Sequence, residues 1–187
     1  MLNKLFILVG PSGVGKDAVM AGVMRKLPEL RILVSYTTRL PRPREKEGFD
    51  YFFVSLEKFQ ELISNKQLLE YEEVHPGLYY GTPLEQINNL LEKYNVIKVI
   101  DILGAQSLKK YFPRQTTIIF IKPPSLEELE LRIKKRGGIS EKEVEERLSR
   151  LSFEMAHANI ADFQITNKIL SECVSEVTQI IQSELKK

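Results

Sequence analysis

The feature that most constrains the fold of this chain is a glycine-rich loop close to its amino terminus. Residues 10–17 read Gly10-Pro11-Ser12-Gly13-Val14-Gly15-Lys16-Asp17, and all but the last fit the pattern Gly, four residues, Gly, Lys, then Ser or Thr. The apolar run 5–9 predicts a buried strand before the loop, and residues 18–27 predict a short helix after it. When a strand, a glycine-rich loop and a helix follow one another in this order, backbone N–H groups of the loop and the helix N-terminus converge on an anion. Residues 10–17 therefore predict a nucleoside triphosphate site, with the Lys16 charge at the outer phosphates.

Asp17 stands where the pattern has a hydroxyl that contacts a magnesium ion. A carboxylate is a hard oxygen ligand, so Asp17 can hold Mg²⁺ directly or through a water molecule. Its negative charge also repels the phosphates, which should weaken nucleotide binding when no metal is present. We therefore expect Mg²⁺ as the cofactor, with a stronger dependence on the metal than a serine would give.

Strand-like and helix-like runs alternate along most of the chain. Strands are predicted near 31–35, 96–100, 117–121 and 163–166, and a last helix with one apolar face over 171–185. Capping boxes are predicted at Thr82 with Glu85, at Ser125 with Glu128 and at Ser140 with Glu143, with Pro83 at a first helical position. This alternation predicts a parallel sheet covered by helices, which binds ligands beyond the carboxyl ends of its strands.

Residues 36–81 break the alternation. Short mixed strands at 51–54 and 68–74 surround a helix near 57–63. We interpret this stretch as a small antiparallel insertion between the first strand–helix unit and the rest of the sheet.

Composition indicates a globular protein of one domain. The 187 residues are 43% hydrophobic and 28% charged, and the net charge is only +2, which disfavours a general attraction to nucleic acid or membranes. The single Cys173 excludes an internal disulfide, and its amphipathic surroundings predict a packed apolar residue. Without an apolar run of membrane-spanning length or a signal peptide pattern, we expect a cytoplasmic protein with neither nucleic-acid nor membrane partners.

The segment 35–45 concentrates hydroxyls and arginines on a loop stiffened by prolines. Arginine binds phosphate with two parallel hydrogen bonds, and proline reduces the entropy lost when a loop orders around a ligand. Taken alone, the segment also fits a solvated basic loop. Beside a triphosphate loop, it favours a second phosphate pocket, to which Tyr51 and Tyr80 could add phenol donors.

From these motifs the chain resembles the guanylate kinases, which transfer the γ-phosphoryl group of ATP to GMP. The resemblance covers nearly the whole length and includes the segments 10–16, 35–39, 41–42, 48–53, 69–70, 79–82, 100–101, 104–105, 123–125, 136–137 and 147–148, with Arg132 and Asn167. It implies an α/β fold of the P-loop NTPase type: a parallel sheet flanked by helices, a small mixed α+β GMP-binding insertion and a helical lid. The expected bounds are about 1–34, 83–125 and 159–187 for the core, 35–82 for the GMP-binding region and 126–158 for the lid.

The resemblance also implies roles in binding GMP for nine residues: Ser35, Arg39, Arg42, Glu45, Tyr51, Glu70, Tyr80, Thr82 and Asp101. The serine, the arginines and the tyrosines would hold the phosphate. Glu70 and Asp101 would accept hydrogen bonds from guanine N1–H and the exocyclic amine, with Thr82 near the base oxygen. Guanine presents two adjacent donors, whereas adenine presents an acceptor at N1, so carboxylates would reject adenine. Each residue taken singly has an alternative role: Thr82 as an N-cap, Glu70 as a strand-face charge, and Asp101 as a group that positions magnesium or water.

Three arginines are expected on the lid. Arg132 and Arg136 share a helix face, a Gly-Gly pair follows, and Arg147 lies on the next predicted helix. The resemblance implies that they act with Lys16 as catalytic residues that neutralise the transferring phosphoryl group, because this chemistry depends on positioning and charge. Arg132 and Arg147 have an alternative role in surface i,i+4 pairs, with Glu128 and Glu143 respectively.

Four positions depart from the family pattern. The first is Asp17, and the second is Arg44, which replaces a usual glycine. The loop 75–78 is one residue longer than in the family, which leaves the placement of Tyr80 and Thr82 open. Lys168 follows Asn167 where an acid is common. With Asp17 after Lys16, the loop also resembles that of the ribose 1,5-bisphosphate phosphokinases, which need no guanine site. A third candidate is the non-catalytic guanylate-kinase-like module that binds phosphopeptides, but that module lacks the loop lysine and the lid arginines. We expect ATP and GMP, with dGMP as a further acceptor, to be the partners of a monomer or homodimer.

Overall fold

The structure is a computed structural model that describes residues 2–43, 45–135, 151 and 153–187. In chain order, its elements are β1 (Leu5–Val9), α1 (Lys16–Lys26), β2 (Arg31–Ile32), β3 (Ser35–Thr37), β4 (Tyr51–Phe53), α2 (Leu56–Ser64), β5 (Leu68–His75), β6 (Leu78–Pro83), α3 (Leu84–Lys93), β7 (Val96–Val99), α4 (Ile102–Tyr111), β8 (Thr116–Lys122), α5 (Leu126–Lys135), a 3₁₀ turn (Ala158–Ile160), β9 (Phe163–Thr166) and α6 (Leu170–Glu184).

The central sheet is parallel throughout, in the order β2-β7-β1-β8-β9. Strand β1 lies in its middle, and all five of its side chains are fully buried. Successive side chains of a strand point to opposite faces. Phe6 and Leu8 accordingly pack with α1 and α6, whereas Leu5, Ile7 and Val9 pack with α3 and α4. The predicted parallel sheet covered by helices is confirmed.

The strand predicted over 31–35 is divided between two sheets. Arg31 and Ile32 pair with β7 in the central sheet, whereas Ser35 begins β3 in the second sheet. Leu33 and Val34, which join them, are buried at 3% and 6% exposure. Because the two crossing residues are themselves apolar and suited to a strand, the sequence shows no turn signal where the chain passes from one sheet to the other.

The second sheet has the order β4-β3-β6-β5 and belongs to residues 35–83. Its pairs are antiparallel except for β3 and β4, which run parallel, so the antiparallel insertion predicted from the strand pattern is wrong for this pair. The long connection between β3 and β4 brings the chain back to the start of β3, so that β4 runs in the same direction as β3. Helix α2 covers the sheet through Phe59 and Leu62, which are buried.

The longer loop 75–78 is absorbed within the hairpin of β5 and β6. His75 pairs with Leu78 across a two-residue turn in which Gly77 has φ of 78°. The register shifts between Glu73 and His75, so the extra residue forms an irregularity on β5. Beyond it, Tyr80 lies opposite Glu72 and Thr82 lies opposite Glu70.

The predicted caps have different outcomes. Ser125 caps α5 by accepting a hydrogen bond from the Glu128 N–H at 3.1 Å. The predicted cap at Thr82 is wrong, because Thr82 lies within β6 and its hydroxyl is bonded to Glu70 across the hairpin. Pro83 ends β6 and occupies the N-cap position of α3 rather than the first helical position. The predicted box at Ser140 and Glu143 lies outside the described residues.

The last helix confirms the predicted apolar face. Its buried side chains are Cys173, Val174, Val177, Thr178 and Ile181, and Cys173 is a buried free cysteine as predicted. Within the described part of the chain, no helix is both long enough and apolar enough to cross a membrane.

Candidate active site

The glycine-rich loop, residues 10–17, is hereafter called the phosphate loop. Gly10, Gly13 and Gly15 have φ of 139°, 86° and 99°, a region that side chains rarely adopt. A Cβ on Gly10 would lie 2.3 Å from the Ile121 carbonyl oxygen, so this turn is shaped to fit against β8. Gly15 precedes α1 in left-handed geometry and offers no side-chain cap to the N–H groups of the first turn. N–H groups without a side-chain cap at the start of a helix are suited to binding an anion.

Lys16 is held by the phosphate loop itself. Its ammonium donates to the carbonyl oxygens of Gly10 at 2.6 Å and Pro11 at 3.1 Å. The positive charge is thus fixed beside the backbone that would surround the phosphates.

Asp17 is exposed on the first turn of α1, where it reaches a cavity of about 730 Å³. The same cavity is lined by residues of the second sheet and its connections, which are Ser35, Arg39, Arg42, Glu45, Tyr51 and Tyr80. The end of the phosphate loop and the predicted second phosphate pocket therefore share one cavity.

Four of these side chains, Arg39, Glu45, Tyr51 and Tyr80, form a set that we call the arginine cluster. The Arg39 guanidinium donates to Glu45 Oε1 at 2.8 Å and to the Tyr80 hydroxyl at 3.3 Å, and its Cζ lies 5.4 Å from the centre of the Tyr51 ring. Arg42 contributes its backbone N–H, which donates to Glu45 Oε2 at 2.7 Å.

The ionisation of the arginine cluster follows from these contacts. Partial burial works against ionised Glu45, but hydrogen bonds from Arg39 and the Arg42 backbone outweigh it and lower the Glu45 pKa. Burial, with the nearby Tyr80 and Asp17, raises the pKa of Tyr51 to about 12. Tyr51 therefore keeps its hydroxyl proton at neutral pH, as a donor toward a phosphate must.

Glu70 and Thr82, hereafter the Glu70–Thr82 pair, face each other across the hairpin. The Thr82 hydroxyl donates to Glu70 Oε1, and Thr82 is fully buried. Burial raises the Glu70 pKa, while the bond from Thr82 and the charge of Lys98 oppose the increase. Neither residue is among those that line the cavity.

Asp101 has a structural role that the sequence analysis missed. Its Oδ1 accepts from the N–H groups of Leu103 at 2.8 Å and Gly104 at 2.9 Å, which makes it the N-cap of α4. Its position directly after the apolar run 96–100 and before a helical stretch was the available signal. The cap fixes the carboxylate at the carboxyl end of β7, where its charge acts on Glu70.

Lys98 is a second residue that the sequence analysis missed. It lies in β7, is 1% exposed, and donates from Nζ to the Ser35 hydroxyl at 2.5 Å. Burial lowers its pKa to about 8, against the opposing charges of Glu70 and Asp101. A lysine within a buried apolar strand requires partners, and this was the signal in the sequence.

Arg132 approaches the phosphate loop through Asn167. It donates to Glu128 Oε1 at 2.6 Å, as the predicted i,i+4 pair, and to the Asn167 carbonyl at 3.2 Å. The Asn167 amide donates in turn to the carbonyl of Val14 at 2.8 Å. Arg136 and Arg147, predicted as catalytic residues, lie outside the described residues, as does Arg44.

The chemistry of Asp17 fits a magnesium ion. Among the described residues, no group of three or more His, Cys, Asp or Glu side chains is placed to hold a metal. Magnesium is commonly held by one or two carboxylates, with water and substrate phosphates as its other ligands. An exposed carboxylate beside a phosphate-binding helix terminus matches that need.

Comparisons with known proteins agree with the residues described above. A sequence model of the guanylate kinase family matches residues 2–184. The guanylate kinase of Prochlorococcus marinus subsp. pastoris is 42% identical over 97% of this chain and 98% of its own length, and that of Porphyromonas gingivalis is 38% identical over 100% of both. The crystal structure of guanylate kinase from Anaplasma phagocytophilum matches with a TM-score of 0.79 and 31% identity, over 100% of this chain and 88% of that one. Because these matches include the phosphate loop and both sheets, they confirm the predicted resemblance, and this chain belongs to the guanylate kinase family of phosphotransferases.

Proposed function

We propose that this chain phosphorylates GMP with ATP, using the phosphate loop for the donor and the cavity beside it for the acceptor. The observation that carries the proposal is the shared cavity, which is lined by Asp17 on one side and by the arginine cluster on the other. Two anion sites that meet in one cavity suit a reaction that joins a phosphoryl group to a second phosphate.

The arginine cluster is organised to receive the GMP phosphate. Among the contacts of the described residues, Arg39 uses three of its five N–H groups, on Tyr80, Leu40 and Glu45. Two N–H groups therefore remain for phosphate oxygens. Ser35, Arg42 and Tyr51 line the same cavity and add donors to the site.

The Glu70–Thr82 pair supports selection of guanine. Glu70 is fixed by the Thr82 hydroxyl and retains further acceptor capacity, since an ionised carboxylate has about four lone-pair sites. Together with Asp101, it would accept the two adjacent donors of guanine. Adenine would place its N1 lone pair against a carboxylate, which leaves a buried acceptor unpaired.

The transfer needs no nucleophile from the protein. An oxygen of the GMP phosphate forms a bond to the γ-phosphorus of ATP, and the bond to the β,γ-bridging oxygen breaks, so that the electron pair leaves with ADP. Lys16 and the phosphate loop hold the donor, and Arg132 supplies positive charge near the loop. Arg136 and Arg147 complete this set in the proposal.

Asp17 is our proposed protein ligand for Mg²⁺, directly or through water. The ion, when bound, would neutralise phosphate charge during the transfer. We also propose that the enzyme acts in the cytoplasm, where nucleotide substrates are available, and that it is a monomer or homodimer.

One assay tests the proposed function. ADP release from ATP is measured with GMP, dGMP, AMP and ribose 1,5-bisphosphate as acceptors. We expect turnover with GMP, measurable turnover with dGMP, and little with AMP. Equal turnover with AMP and GMP would overturn the roles given to Glu70 and Asp101. A preference for ribose 1,5-bisphosphate would instead support a ribose 1,5-bisphosphate phosphokinase, the alternative to which Asp17 points.

A further inference from the structure

Lys98 is a charged side chain enclosed by the protein. It lies on a strand of the central sheet, between Ile97 and Val99, and only 1% of it is exposed. Burying an ammonium group costs free energy unless hydrogen bonds and opposite charges compensate. Its contacts therefore show what the charge acts on.

Those contacts connect the two ends of the acceptor site. The Lys98 ammonium donates to the Ser35 hydroxyl at 2.5 Å, and Ser35 lines the cavity beside the arginine cluster. The ammonium is also attracted by the charges of Glu70 on β5 and of Asp101 at the start of α4. One cation thus joins the phosphate side of the site to the base side.

The bond to Ser35 determines what the serine can offer a ligand. An ammonium group only donates, so the Ser35 oxygen must accept this bond. The single hydroxyl hydrogen of Ser35 must then point away from Lys98. A serine that lines the cavity in this state presents a donor to it, which is what a phosphate oxygen requires.

The charge of Lys98 also acts on the two carboxylates. Burial raises the pKa of Glu70, and the like charge of Asp101 adds to the increase, so both favour the protonated form of Glu70. A protonated carboxyl group would present a donor to guanine, whose N1–H and amine are themselves donors. The positive charge of Lys98 counters this tendency at Glu70.

We propose that Lys98 is a positioning residue for the acceptor nucleotide, which aims the Ser35 hydroxyl at the phosphate and keeps Glu70 and Asp101 ready to accept from guanine. This inference rests on the proposed function and deepens it. Lys98 does not touch the reacting atoms, so its effect should appear in the binding of GMP rather than in the transfer step.

Two substitutions separate the two roles of Lys98. Lys98→Met removes the charge and the donor at similar volume, whereas Lys98→Gln removes the charge but keeps a donor within the side chain. We expect Lys98→Met to raise KM for GMP about 10- to 100-fold, the loss typical of a hydrogen bond to a charged group. Lys98→Gln should give a smaller increase. KM for ATP and kcat at saturating GMP should change less than roughly threefold, since uniform acceptor binding is what is lost.

A double-mutant cycle with Ser35→Ala tests the contact itself. Once the serine is removed, Lys98→Met should raise KM for GMP by a smaller factor than in the wild type, because the two residues act through one bond. The matched control is Lys4→Met, the same substitution before β1 at the opposite end of the sheet, and it should leave all constants unchanged.

The outcomes are distinguishable. A wild-type protein that does not phosphorylate GMP overturns the proposed function. A wild-type protein that does, with KM for GMP unchanged in Lys98→Met and Lys98→Gln, overturns the role of Lys98 alone. Equal losses in KM for ATP and GMP would also overturn it, since they indicate general distortion. If Lys98→Met does not fold, Lys98→Gln in the cycle with Ser35→Ala gives the same decision.

Discussion

Replacing Lys98 with methionine should make the protein more stable at neutral pH. Burial lowers the pKa of Lys98 from 10.5 to about 8. A shift of this size means that holding the charge in the folded protein costs about 3 kcal/mol at pH 7. Methionine has a similar volume and no charge, but it gives up the bond to Ser35, which stabilises the fold by about 1 kcal/mol. We expect Lys98→Met to raise the free energy of unfolding by about 2 kcal/mol, the difference of those two terms.

The pH dependence gives the prediction its sign. The pKa of Lys98 is lower in the folded state than in the unfolded chain, so the folded state releases its proton first as the pH rises. The free energy of unfolding therefore increases between about pH 8 and pH 10.5 in the wild type, and this increment is lost as pH falls through 8. The advantage of Lys98→Met should accordingly shrink toward pH 10.5.

Urea denaturation at several pH values between 7 and 10.5 measures both effects, with Lys4→Met as the control for loss of a lysine elsewhere. Other groups, such as Tyr51 and Cys173, whose pKa values are raised to about 12 and about 11, respectively, titrate in both proteins and cancel in the difference. A variant that is less stable than the wild type at pH 7, or a difference that does not change with pH, would refute the reasoning. The expected result is a protein that is more stable and binds GMP less well, as is common where a site holds a buried charge.

Three further predictions concern the site. Glu70→Gln should lower kcat/KM for GMP about 100-fold, since guanine N1–H would lose a charged acceptor, and the ratio of GMP to AMP turnover should fall; an unchanged ratio would contradict the base assignment. Gly10→Ala should destabilise the fold by more than about 2 kcal/mol and abolish ATP binding, measured by thermal unfolding and calorimetry, because strained φ adds to the contact with Ile121. Its control is Gly77→Ala, which has φ of 78° but an open Cβ position, and the two variants should differ sharply. Asp17→Ser should weaken the dependence of activity on magnesium, and a magnesium titration with the wild-type midpoint would contradict the metal role.

The parts of the fold that the sequence predicted are those set by local patterns. β1 is a continuous apolar run, as buried strands are, and β9 occupies the predicted 163–166, where Ile165 is buried between the exposed Gln164 and Thr166. The phosphate loop was equally readable, since glycines at 10, 13 and 15 are needed for its positive φ values.

The parts that the sequence did not predict depend on partners distant in the chain. Thr82 carries the local pattern of an N-cap, but β5 brings Glu70 within reach of its hydroxyl and the strand continues. The division of 31–35 between two sheets depends on which neighbours Leu33 and Val34 meet. Lys98 was interpreted as part of an apolar run, because no residue near it in the sequence indicates its hydrogen bond to Ser35, which lies 63 positions earlier.

The contact between Asn167 and the phosphate loop has a consequence for the order in which the site forms during synthesis. Its amide holds the Val14 carbonyl at 2.8 Å from 153 positions farther along the chain, and it occupies the space beside Gly15. A ribosome therefore makes the loop well before it makes β9 and Asn167. The nascent chain carries an unfinished nucleotide site throughout that interval, and the site is completed only when β9 joins the sheet. ATP binding should then follow the synthesis of Asn167.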